Sequence, residues 1–170
     1  MARDDEFADF VAARYRALVR TGFGLTGDVG HAEDLAQSAL IKTYLSWGRL
    51  REPGNAEAYA RRTLVRLALR ERQRRWRGEI SAERLPELAG AEVPAVDSRD
   101  LALDVRNALA ALPADQRAVL VLRYLDDQSE ADTAQMLGIP PGTVKSRAAR
   151  GLACLRKAGL LDREGERHDR

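Results

Sequence analysis

Four arginines, Arg62, Arg66, Arg70 and Arg74, recur at every fourth position. On a helix that interval aligns the guanidinium groups in a rail along one side, each a planar fork that matches phosphate oxygens. Ala60, Leu64, Leu67 and Ala68 fall on the far side, so one face packs while the other is free to straddle a polyanion. A second basic stretch, 143–157, carries Lys145, Arg147, Arg150, Arg156 and Lys157 with no acid. Within it Val144, Ala148, Gly151 and Leu155 share a face. Thr143, Ser146, Arg147 and Arg150 share the opposite one, with Lys145 on its flank. An apolar stripe inward with short polar and arginine side chains outward is how a helix reads a DNA major groove. A third constellation is mixed: Asp34, Gln37, Ser38, Ile41 and Leu45 lie together on one side of 31–47. Ala32, Ala36, Ala39, Leu40, Thr43 and Trp47 form a core stripe on the other. A polar rim around two large aliphatics suits a protein-partner surface better than a second core face.

Catalytic and metal chemistry find little to work with. The single Cys and the two His, His31 and His168, cannot build a disulfide framework or a Cys-rich zinc site. Cys154, beside Leu152 and Leu155, reads as a small packing residue, and His31 as a start-of-helix residue. No Gly-rich Lys-Ser/Thr loop is present to hold a nucleotide. The expectation is a protein that is not an enzyme and has no metal site and no cofactor. Tyr59 and Trp76 stand near the arginine rail, where an exposed ring could stack on a base; each is read instead as core or as a cover over arginine stems. The turn-rich segment from Arg49 to Asn55 suits a pocket for an unpaired base.

The elements that must position these groups are helical. Apolar spacing follows the helical period nearly throughout the 170 residues, with no alternating strand. It predicts helices at 4–25, 31–47, 56–77, 100–112, 115–126, 130–137 and 141–158. Gly27-Asp28-Val29-Gly30 and Glu52-Pro53-Gly54-Asn55 act as breaks. Ser129-Glu130-Ala131-Asp132 reads as a capping box, Gly138 as a helix stop, and Pro140-Pro141 as the start of the next helix. Those signals make a helix-turn-helix. The net charge of +2 conceals a strong alternation. Residues 48–77 hold 10 basic and 3 acidic side chains, and 78–112 hold 3 and 7. Gly78, Pro86, Gly90 and Pro94 mark 78–99 as an acidic linker. The fold class expected is all-α, two small helical domains (1–77 and 100–158) on a flexible acidic linker, with a mobile charged tail over 159–170. The acidic N-terminus has no apolar signal core, and no stretch approaches the ~18 apolar residues of a membrane span. A soluble cytoplasmic protein, with no membrane insertion, is expected.

Ala32-Glu33-Asp34-Leu35-Ala36-Gln37 and, farther on, Leu137-Gly138-Ile139-Pro140-Pro141-Gly142-Thr143-Val144-Lys145-Ser146-Arg147 together resemble the extracytoplasmic-function sigma factors, RNA polymerase promoter-specificity subunits of the sigma-70 family. The resemblance implies that 1–77 is sigma region 2 and 100–158 is region 4. It implies that Asp34 and Gln37, with Ile41 and Leu45 beside them, contact the β′ coiled coil of core RNA polymerase, and that the β flap is a further partner. The loop at 49–55, with Arg49 and Asn55, would hold a base flipped from the minus-ten element, and Arg62, Arg66, Arg70 and Arg74 would guide the melted strand. Ser146, Ala149 and Arg150 match positions facing bases of the minus-thirty-five element; Thr143, Lys145 and Arg147 suit phosphates. The acidic linker would lie in a channel later taken by RNA, and an anti-sigma factor is an expected partner. The chain departs from the family pattern at Arg66, often Asn; at Ala149, often bulkier; and at Asp132 and Thr133, more usually Glu and an aliphatic residue.

Opening a promoter bubble breaks on the order of ten stacked steps at ~1.4 kcal/mol each. Without a nucleotide site that work comes from binding energy, and two small lobes hold too little DNA alone. A large partner that fixes both solves the problem by raising their effective concentration along one duplex. The competing reading is an autonomous helix-turn-helix regulator, which needs a dimer interface to read paired half-sites; no heptad or spare apolar helix supplies one.

Overall fold

The computed structural model describes residues 2–50, 52–78 and 99–159. The chain divides into two compact units, Met1–Ala91 and Glu92–Arg170. The expected linker lies outside the described residues except at its ends, and the expected tail except for its first residue. Among the described residues there are seven α-helices and no strand. No helix among them is long and apolar enough to cross a membrane.

The first unit is a three-helix bundle: α1 (Ala2–Thr26), α2 (Val29–Ser46) and α3 (Pro53–Trp76). Gly27, at φ +73°, turns the chain after α1, and Asp28 then caps α2, its carboxylate accepting the His31 N–H at 2.6 Å. The core is lined by Leu18 and Val19 of α1, Leu35, Ala36, Ala39 and Leu40 of α2, and Ala60 and Leu64 of α3. The small side chains let the axes approach. A Cβ on Gly22 would lie 3.2 Å from the backbone of Ala32, so α1 and α2 meet where neither has bulk. Phe7 and Phe10 wrap the far end of α2, with Phe7 edge-on to Tyr44 at 4.9 Å and to Trp47 at 5.1 Å. Glu57 ties α3 to α1 through Arg14 at 3.0 Å and stays engaged with Arg61 one turn on at 2.9 Å.

The expected break at Glu52–Asn55 is corrected. A 3-10 turn over Trp47–Arg49 follows α2, and α3 already begins at Pro53. Proline without an N–H suits a first helical position, where that donor has no intrahelical acceptor. Asn55 therefore sits in the first turn of α3 instead of in a loop.

The second unit holds α4 (Arg99–Ala111), α5 (Ala114–Leu120), α6 (Glu130–Leu137) and α7 (Pro141–Lys157). Leu112, Val119, Leu120, Ala134, Val144 and Ala148 form its core. The predicted single helix over 115–126 differs from what is found. After Leu120 the chain widens into one π turn, Val121–Leu125, closed by the Asp126 N–H on the Val121 carbonyl at 3.0 Å. Ala118 to Leu122 are buried without a gap, a run that one apolar stripe on a regular helix does not provide.

Candidate nucleic-acid interface

The helix-turn-helix is built by its caps. Ser129 accepts the Asp132 N–H at 3.0 Å, so α6 starts where the capping box places it. The reciprocal half differs: the Ser129 hydroxyl donates to the Asp132 carboxylate at 2.7 Å. Gly138, at φ +65°, ends α6, and the Ile139 N–H returns to the Ala134 carbonyl at 3.0 Å. Pro140 caps α7, its carbonyl accepting from Thr143 and Val144. Thr133 is wholly buried, and its hydroxyl has no hydrogen-bond partner among the described residues.

The buried side of α7 is the predicted one, Val144, Ala148 and Gly151. A Cβ on Gly151 would come within 2.9 Å of Leu120 Cδ1, so the glycine is what lets α7 lie close on α5. Lys145, Ala149 and Arg150 are exposed; Thr143 and Ser146 are half-buried, the Ser146 hydroxyl donating to the Thr143 carbonyl at 3.1 Å. Arg147 is held differently: its Nε reaches Asp115 of α5 at 3.3 Å. The sequence pattern could not show this partner, which lies 32 positions away in the chain. Cys154 is exposed, which corrects its reading as a packing residue; Leu152 and Leu155 beside it still pack on the core, and Cys154 falls off the stripe that faces it.

In the first unit α2 is two-sided as predicted. Ala32, Ala36, Ala39, Leu40, Thr43 and Trp47 are buried, while Asp34, Gln37 and Ser38 are exposed. Ile41 is 62% exposed and Leu45 72%. Two large aliphatics one turn apart, open to water and flanked by Asp34 and Gln37, form a small apolar patch with a polar margin. Tyr44, between the two faces, donates to Asp4 at 2.7 Å; that hydrogen bond and the carboxylate charge hold its phenol above the ordinary value.

On α3, Arg66, Arg70 and Arg74 are exposed and Arg62 is half-buried. Arg72, Arg75 and Arg77 are exposed as well, so the end of α3 is basic nearly all round, more so than one rail implies. Arg70, Gln73, Arg74 and Arg77 line an open groove there. Trp76 is 92% exposed, which corrects its reading as core or cover: α3 has by then run past α1 and α2. Tyr59 is half-buried, its hydroxyl accepting from Ser46 at 3.2 Å. Arg49 is exposed on the 3-10 turn, and the Asn55 amide donates to Glu52 at 3.2 Å.

A basic helix on one unit and a helix-turn-helix on the other define a DNA-binding protein of two parts. Comparison with known proteins identifies which kind. The family model Sigma-70 region 2 matches residues 10–78, and Sigma-70, region 4 matches 102–155. The chain is 38% identical to the RNA polymerase sigma-E factor of Streptomyces antibioticus, over 89% of this chain and 83% of that one. It is 30% identical to the ECF RNA polymerase sigma factor SigW of Bacillus subtilis, over 90% and 88%. Among solved structures it resembles the sigma factor RpoE of Bartonella quintana, crystallised with the anti-sigma factor NepR. That match has a TM-score of 0.69 and 25% identity, and covers 97% of this chain and 99% of that one. The chain belongs to the extracytoplasmic-function RNA polymerase sigma factors. Its function is accordingly to direct promoter-specific transcription initiation.

Proposed function

We propose that the two units divide initiation as follows. The exposed face of α2, Asp34 and Gln37 around Ile41 and Leu45, docks on the β′ coiled coil of core RNA polymerase, and the second unit seats on the β flap. Arg49 and Asn55 border the site for a flipped minus-ten base, and Arg62, Arg66, Arg70 and Arg74 guide the melted strand. Ser146, Ala149 and Arg150 face bases of the minus-thirty-five element, while Thr143, Lys145 and Arg147 sit toward phosphates. The domains are 1–77 and 100–158, the chain acts in the cytoplasm, and an anti-sigma factor restrains it.

The observation that supports this best is the burial pattern of α2. Its inner stripe is spent on the core, and its outer stripe leaves two large aliphatics in water at the positions that match the family's polymerase contact. Run-off transcription with purified core enzyme tests the reading. Transcripts start at a promoter only when the chain is added, and Asp34→Arg with Gln37→Ala abolishes them together with association in a pull-down. Undiminished association in that variant overturns the docking assignment.

A further inference from the structure

Between Ala58 and Arg77 the sequence holds a single carboxylate, Glu71, among Arg61, Arg62, Arg66, Arg70, Arg72, Arg74, Arg75 and Arg77. Left to itself, a glutamate in a helix pairs with a base four residues on, the favourable orientation for an intrahelical ion pair. That base here is Arg75, exposed at the end of α3. Glu71 instead engages the imidazole Nε2 of His31, 40 positions away at the start of α2. The backbone of His31 is itself fixed, because its N–H donates to the Asp28 cap at 2.6 Å. His31 and Glu71 thus link α2 to α3, and beyond Glu71 the residues from Arg72 to Gly78 are all exposed.

We infer that His31 is a positioning residue for DNA binding: by holding Glu71 against α2, it keeps that carboxylate off Arg75, one turn on, and leaves Arg75 to phosphate. The inference rests on the reading of α3 as a DNA-guiding helix. Released from His31, the carboxylate would compete with phosphate for Arg75.

The test is fluorescence anisotropy of the full-length chain on a labelled forked DNA with a single-stranded tail, across about 50 to 200 mM salt. His31→Ala is expected to weaken binding up to about twofold, the strength of one intrahelical ion pair, and to flatten the salt dependence. Glu71→Gln added to His31→Ala restores native affinity, a rescue that lost packing would not allow. Glu71→Gln alone binds at least as tightly as the native chain, and stands as the test even if His31→Ala fails to fold. Binding by the double variant as weak as by His31→Ala, or weakening by Glu71→Gln alone, overturns the inference. Arg70→Ala separates the two levels. If it weakens binding while the rescue fails, only the role of His31 falls; if it leaves binding unchanged, the DNA-guiding role of α3 falls and the inference with it.

Discussion

The opposite faces of α2 can be perturbed independently, and the size of each effect follows from burial. Ile41 and Leu45 are 62% and 72% exposed, so about two thirds of the burial free energy of a large aliphatic is still ungained in the free chain. Full burial of such a side chain gives about 1.5–3 kcal/mol, which leaves about 1–2 kcal/mol per residue for a partner to collect. Ile41→Ala with Leu45→Ala removes most of that from both. The expected loss is about 2–3 kcal/mol of affinity for core RNA polymerase, a roughly 30- to 150-fold rise in Kd. Stability should stay within about 0.5 kcal/mol, because neither side chain fills the core. Leu40→Ala, one position from Ile41 but 6% exposed, should do the reverse to the fold, costing about 2–5 kcal/mol of stability. Equilibrium competition for purified core enzyme against a labelled native chain gives the Kd, and thermal melting gives the stability. A double variant that binds core enzyme like the native chain would refute the reasoning. So would one that melts early, since it would show the outer stripe to be structural.

Other consequences are as direct. Thr133→Val removes a buried hydroxyl that has no partner among the described residues, at nearly constant volume, and should stabilise the second unit by about 1 kcal/mol in denaturant unfolding. Gly151→Ala gains about 1 kcal/mol of helix propensity. It also forces a methyl to within 2.9 Å of Leu120 Cδ1, a buried side chain, at a cost of about 1–3 kcal/mol, so melting should report a net loss of roughly 1 kcal/mol. Asp28→Ala takes the acceptor from the His31 N–H and should cost about 1 kcal/mol. Asp4→Asn removes the charge that holds the Tyr44 proton; the phenol should then titrate at lower pH by NMR. The sign for stability follows. The folded chain binds that proton more tightly than the unfolded one, so the native contribution is present below the phenol's unfolded pKa and is lost as pH rises through the folded value.

Local signals carried most of the fold. The helix-turn-helix was legible because its caps lie within a few residues of what they cap: Ser129 and Asp132, Gly138 and Ala134, Pro140 and Val144. The two faces of α2 were legible because periodicity alone sorts side chains by direction. What escaped depends on distant chain segments or on energies that periodicity does not encode. The Asp115–Arg147 and His31–Glu71 contacts join positions 32 and 40 apart, and no local pattern pairs an acid with one base among many. The exposure of Trp76 depends on how far a helix outruns its neighbours, which the spacing of apolar residues hardly reveals in a segment rich in arginine. Cys154 lies off the stripe of Val144, Ala148, Gly151 and Leu155, so the period itself accounts for its exposure. The π turn is harder to read: the unbroken apolar run Ala118 to Leu122 is equally that of a regular helix buried all round, and periodicity does not tell the two apart.

The eight residues of α6 are too few to hold a helical shape by themselves in water. Its order is borrowed from Gly138 behind it and from the walls that Val119, Leu120 and Val144 raise around Ala134. Loosening any of these would not tilt α7 by degrees; the pair would come apart together. Recognition by the second unit should therefore fail with heat as a switch does, with affinity keeping its sequence preference until the unit melts and then losing both at once.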